Sequence, residues 1–191
     1  MVIIRLAFVP LVLIALFVWP SWPPDSAPDL ACEWGGYILM LTGLAIRIWS
    51  TMYIGQRKSK ELITDGPFSM CRNPLYVGTL LIVVGISLSL VNYVLLLAVL
   101  LITLPLHLLV VLSEEEHLES IFGSQYVEYK KQVPRFWFRI SRFRTPEYIT
   151  VSPRSIYRVT GESVMVLMIP VIEDIIELLH ESGVLPVLWH I

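Results

Sequence analysis

The chain has 191 residues, of which 55% are hydrophobic and only 16% charged, with a mean hydropathy of +0.70 and a net charge of −2. An ordinary soluble domain carries about 25% charged residues, so this composition excludes one, and the slightly acidic balance argues against a nucleic-acid partner. The apolar surplus falls in long runs, the pattern of an integral membrane protein with one compact membrane domain. Its two cysteines, Cys32 and Cys71, lie near opposite ends of the predicted spans and are not expected to pair. The four histidines are scattered without metal-ligand spacing, so no structural metal is expected.

In chain order, Val2–Trp19 is apolar but for Arg5 and reads as a first transmembrane helix. A signal peptide would also begin with a cation, but the run exceeds the usual apolar region and no A-x-A site follows. A stiff Pro-rich loop follows, with Trp19 and Trp22 suited to an interfacial belt. Leu30–Met52 reads as the second span, where Gly35, Gly36 and Gly43 would admit a close neighbour. Glu33 and Arg47 lie towards its ends and can snorkel. Leu75–Leu90 and Tyr93–Leu112 read as spans three and four. They form a tight hairpin of short spans, against the ~20 residues that cross squarely.

The cations set the expected topology. The segment 53–74 carries Arg57, Lys58, Lys60 and Arg72, and eight cations follow Ser113, whereas the loop at 20–29 and the turn at 91–92 carry none. The positive-inside rule then places both termini, and the polar segments beside spans three and four, in the cytoplasm. The expected fold class is therefore all-α: a polytopic helical bundle of about four spans with cytoplasmic amphipathic helices and a C-terminal helical extension. The expected division is a membrane domain over 1–137, with its core at 53–137, and an extension over 138–191.

Two polar segments stand out. Gly66–Gly78 reads G-P-F-x-x-x-R-N-P-L-Y-x-G, in which two turn signals bracket an aromatic and a cation just ahead of an apolar helix. Pro74 suits a helix start, whose free N–H groups suit an anion. Glu114–Phe136 reads E-E-E-x-L-x-x-x-F-G-x-x-Y-x-x-Y-x-x-x-V-P-R-F. Leu118, Ile121 and Phe122 make one helical face, and Gly123 interrupts the helix. Tyr126 and Tyr129 suit headgroup anchoring better than ligand binding, and Gly78 and Gly85 suit helix packing. The three glutamates by themselves also fit a solvated charge run. His107, inside a span, fits either a hydrogen bond to a neighbouring helix or a role with the acceptor.

In this order around a two-helix hairpin, these stretches resemble the isoprenylcysteine carboxyl methyltransferase family and its phospholipid methyltransferase relatives, from about residue 40 to Trp137. The resemblance implies an integral-membrane enzyme. It implies S-adenosylmethionine as methyl donor and S-adenosylhomocysteine as product, bound at the cytoplasmic mouth of the bundle. Carried over by position, the cofactor contacts fall on Lys60, Glu61, Leu62, Ile63, Phe68, Asn73, Pro74, Leu75, Tyr76 and Glu114. Arg72 and His107 are the candidate catalytic residues. The family usually has His at 60, Tyr at 68 and often His at 73. The prenylcysteine enzymes also carry a substrate-holding Arg where Val110 stands here, so a carboxylate acceptor loses its expected counter-charge.

The implied partner is a membrane lipid or a lipophilic small molecule, with a carboxylate, amine or thiol as acceptor group. Two other readings remain: an NADPH-dependent membrane reductase of the sterol-reductase type, and a non-enzymatic scaffold. In the tail, Arg139, Arg142 and Arg144 would attract anionic headgroups. Ser163–Ile172 is apolar but too short to span. Val171–Leu179 reads as an amphipathic helix with an acidic face, which favours packing on protein, including a second copy of the chain.

Overall fold

The computed structural model describes residues 18–19, 26–55, 57, 60–90, 93–184 and 189–190. The described elements are almost wholly helical: α1 (Ala27–Ile54), a one-turn α2 (Pro67–Met70), α3 (Pro74–Ser89), α4 (Tyr93–Phe122), α5 (Ser124–Gln132) and α6 (Pro153–Glu181), with a 3-10 turn at Ile140–Arg142. A two-residue parallel pairing joins β1 (Val18–Trp19) to β2 (Trp189–His190). The first expected span lies outside the described residues except at Val18 and Trp19, which are extended rather than helical.

Helix α1 covers the expected second span and overruns it at both ends, beginning among Pro28 and Asp29, which suit a first helical turn. Helix α3 matches the expected third span. Helix α4 does not stop where the apolar run ends. It continues through the three glutamates to Phe122, 30 residues in all, with Pro105 inside it. Two helices, Ala27–Ile54 and Leu96–Phe122, are long and apolar enough to cross a membrane, and α3 is a shorter apolar helix.

Their exposed faces carry large apolar side chains: Trp34, Ile38 and Leu41 on α1, and Leu97, Leu101, Leu108 and Leu109 on α4. Such stripes are stable only against lipid or another apolar surface.

The chain divides into two compact units. One holds 1–41, 81–104 and 164–191. In it α1 and α3 meet backbone to backbone, because a Cβ on Gly36 would lie 2.6 Å from the Gly85 carbonyl oxygen. The other holds 42–80 and 105–163. There a Cβ on Gly78 would lie 2.8 Å from the Gly43 carbonyl oxygen. Gly36, Gly43, Gly78 and Gly85 thus serve helix packing, as expected. Gly35 has nothing within 4 Å of its Cβ position.

Arg47 does not snorkel. Its guanidinium donates to Thr79 Oγ1 at 2.5 Å and to Glu162 Oε2 at 2.8 Å, tying α1 to α3 and α6. The tail also differs from expectation. Its apolar and amphipathic segments belong to one 29-residue helix, α6, started by Ser152 and Pro153. The Ser152 carbonyl accepts from the amides of Ser155 and Ile156.

Candidate functional site

The second unit contains both polar motifs. Gly66 has φ 57° and turns the chain into α2, where Ser69 Oγ donates back to the Gly66 carbonyl at 2.6 Å. Cys71 is extended. Asn73 precedes α3, and its carbonyl accepts from the amides of Tyr76 and Val77. The loop is closely packed: Pro67, Phe68, Ser69, Met70, Cys71, Asn73 and Pro74 are all buried.

Opposite this loop, α4 supplies Val111, Glu115, Leu118 and Phe122 at spacings of four, three and four, one helical face. The glutamates divide by position on the helix: Glu114 is half-buried, Glu115 is 4% exposed and Glu116 is exposed.

Glu115 is the hub. Asn73 Nδ2 donates to its Oε1 at 2.9 Å, and Arg135 Nη2 donates to its Oε2 at 2.9 Å, with Arg135 Nε 3.2 Å from each oxygen. Arg72 Nε lies 3.7 Å from Oε1, too long for a hydrogen bond. Two guanidinium groups therefore share the Glu115 carboxylate. The buried Nε and Nη1 of Arg72 find no hydrogen-bond acceptor among the described residues. A buried cation with open donors calls for an anion.

Beside this hub, Tyr76 Oη donates to Glu114 Oε2 at 2.6 Å. The Tyr76 ring meets the His107 ring edge-on at 5.9 Å between centroids. His107 and Glu114, seven residues apart on α4, share a face as expected. Arg72, Asn73, Tyr76, His107 and Glu114 thus gather where α3 begins.

The other expected contacts are placed as follows. Pro74 is buried at the first position of α3, and Leu75 is half-buried. The Phe68 ring is buried, and its carbonyl accepts from Tyr129 Oη at 2.7 Å. Leu62 packs on the cluster of Tyr126, Tyr129 and Val133. Ile63 is half-buried in irregular chain, and Lys60 is exposed. Glu61 pairs with Arg57, whose guanidinium holds its carboxyl below the usual range. The contacts of Lys60 and Glu61 do not reach the Arg72–Glu114 group.

Tyr126 and Tyr129 are not headgroup anchors. Both are buried, and burial pushes both phenols well above their ordinary range. Glu115 and Arg135 were missed among the candidates. The faint signal for Glu115 was its place four residues after Val111 on the face later shown to be buried.

Both described cysteines are free. Burial pushes the Cys71 thiol up to about 11. Because thiolate is the reactive form, Cys71 stays unmodified by iodoacetamide at pH 8 in the folded protein and reacts once the chain is denatured. Peptide mass spectrometry checks this. Among the described residues no three His, Cys, Asp or Glu side chains gather as a metal site.

Comparisons with known proteins bear on the family. The phospholipid methyltransferase family matches residues 31–125, which include the Gly66–Gly78 loop and the three glutamates. The nickel-cobalt-cadmium resistance protein NccN of Alcaligenes xylosoxydans xylosoxydans is 33% identical over 178 residues, 93% of this chain and 83% of that protein. The cobalt-zinc-cadmium resistance protein CzcN of Cupriavidus metallidurans is 35% identical over 140 residues, 73% of this chain and 64% of that protein. The protein-S-isoprenylcysteine O-methyltransferase of Schizosaccharomyces pombe is 32% identical over 83 residues, 42% of this chain and 35% of that enzyme. No solved structure matches the chain. With the first motif and the three glutamates of the second inside the matched residues, the chain belongs to the isoprenylcysteine carboxyl methyltransferase and phospholipid methyltransferase superfamily of membrane proteins.

Proposed function

We propose that the protein transfers a methyl group from S-adenosylmethionine to a lipophilic or small acceptor at the cytoplasmic rim of the membrane. The observation that carries this reading is the cluster of Tyr76, His107 and Glu114 at the start of α3, four residues after Arg72, whose buried Nε and Nη1 have no hydrogen-bond acceptor among the described residues. When bound, S-adenosylmethionine supplies a methyl carbon already activated by its sulfonium, so the protein chiefly positions and desolvates. That fits a site without a nucleophile–base pair.

The donor set fits the group's charges. Glu114, steadied by Tyr76, is suited to the ammonium. The open Arg72 donors are suited to a carboxylate. Phe68 offers an apolar flank for adenine, although its ring is largely packed. The side chain of Asn73 is committed to Glu115 and to the Arg135 carbonyl, so it positions the loop rather than binding cofactor. In this reading His107 takes a proton from a thiol or amine acceptor, and Val110 supplies no counter-charge for a carboxylate. This tilts the acceptor towards an amine or thiol. The cation distribution supports a multi-pass orientation with this site on the cytoplasmic side.

The test is binding of S-adenosylhomocysteine to purified protein by calorimetry. Glu114→Ala should weaken it by ~2–5 kcal/mol, the usual effect of removing a desolvated charge partner. Unchanged affinity counts against the site. Thermal stabilisation by NADPH and not by S-adenosylmethionine reverses the choice of cofactor. The bacterial relatives' names place them in metal resistance, and we place this transfer in the same setting. Wild type but not Glu114→Ala should then restore nickel, cobalt or cadmium tolerance to a deletion strain.

A further inference from the structure

After α5 the chain does not leave the site but crosses over it. The Arg72 amide donates to the Pro134 carbonyl at 2.9 Å, and the Arg139 amide to the Met70 carbonyl at 3.0 Å. The Arg144 amide donates to Ser69 Oγ at 3.0 Å, and the Gly66 amide to the Arg144 carbonyl at 2.6 Å. Residues 134–144 therefore form a strap sewn to the 66–72 loop. Its inner side is anchored further, since Phe143 lies 5.9 Å from Trp49 between ring centroids and Thr145 Oγ1 is 2.7 Å from Tyr53 Oη.

The strap's outer side is unlike a water-facing loop. Trp137 is 81% exposed and Ile140 77%, with Phe136 also exposed. Arg139 and Arg144 are exposed among them. No acidic residue occurs within 134–144, whose cations are Arg135, committed to Glu115, and Arg139, Arg142 and Arg144. The strap is hydrogen-bonded to Arg72, two residues before the apolar helix α3 begins. It therefore lies at a boundary where an apolar helix meets polar chain.

We propose that the outer side of the strap is a docking surface for anionic lipid headgroups, with Trp137 and Ile140 entering the interface and Arg139 and Arg144 pairing with phosphate. Exposed aromatic and aliphatic side chains among unopposed cations, beside the end of an apolar helix, are the chemistry of the headgroup layer. Because the strap is sewn to the 66–72 loop, lipid engagement steadies that loop. The claim concerns membrane contact and does not depend on which reaction the site performs.

The test uses the full chain in nanodiscs with Trp137 as the remaining tryptophan, the other five replaced by phenylalanine. Lipids brominated near the headgroup should quench Trp137 strongly in bilayers containing phosphatidylglycerol and severalfold less in pure phosphatidylcholine. An unquenched Trp137 overturns the proposal, as does equal quenching in both bilayers. If that variant does not fold, the wild-type chain is read by hydrogen exchange of peptides covering 134–144. Slower exchange with phosphatidylglycerol supports the proposal. Identical exchange in the two bilayers, or protection without lipid dependence as a protein partner would give, overturns it.

Discussion

Glu115→Ala lowers the melting temperature of the solubilised protein by about 10 °C, whereas Glu116→Ala leaves it nearly unchanged. Glu115 accepts from Asn73 and Arg135 and faces Arg72. Removing it leaves two guanidinium groups facing each other around a cavity and takes away the Asn73 partner. Breaking a buried pair from one side costs about 3–5 kcal/mol. The Arg135 side chain is 35% exposed and water relieves part of its charge, so the lower end of that range applies. Arg72, at 10%, has no such relief. Glu115→Gln should fall between, since an amide oxygen can still accept from Asn73 but cannot neutralise two arginines. Differential scanning fluorimetry of the three variants checks the order. A Glu115→Ala protein as stable as Glu116→Ala would remove the hub from the account of the site.

Gly66→Ala should be the most damaging substitution in the motif loop, costing on the order of 4 kcal/mol by the sum of two effects. Its backbone, φ 57° and ψ −131°, is a conformation that side chains other than glycine's rarely adopt. A Cβ there would also lie 2.4 Å from the Tyr53 ring. That ring cannot easily yield, because Tyr53 is buried and its hydroxyl is bonded to Thr145. Gly123 is the internal control. It has nearly the same backbone, φ 53° and ψ −127°, but nothing within 4 Å of its Cβ position. Gly123→Ala therefore carries only the backbone strain, about 1–3 kcal/mol. The difference between the two variants in thermal unfolding reads the crowding at Tyr53 directly, and equal losses would show that Tyr53 gives way.

What could be read from the sequence followed local chemistry. Long apolar runs gave the helices, Gly123 broke α4 from α5, and the small residues of α1 and α3 marked where those helices touch. The two motifs converge through Asn73 on Glu115 and Tyr76 on Glu114, near the start of α3 and the far part of α4. The burial of Glu115 was not legible, because neighbouring helical residues differ by only about 100° in direction. Which of three glutamates turns inward depends on where α3 lies. Tyr126 and Tyr129 look like anchors by composition and become core only because Leu62, Leu118 and Phe122 cover them. The crossing of the strap was invisible for another reason: three of its ties to the loop are bonds between main-chain groups, and the others join the small polar side chains of Ser69, Cys71 and Asn73 to its main chain.

With Arg135 and Phe143 held beneath, those main-chain ties make the register of 134–144 nearly indifferent to which side chains its outer side bears, provided proline does not remove a donor at 139 or 144. Drift on its outer side can thus refit the molecule to membranes of different surface charge while the residues underneath keep their positions.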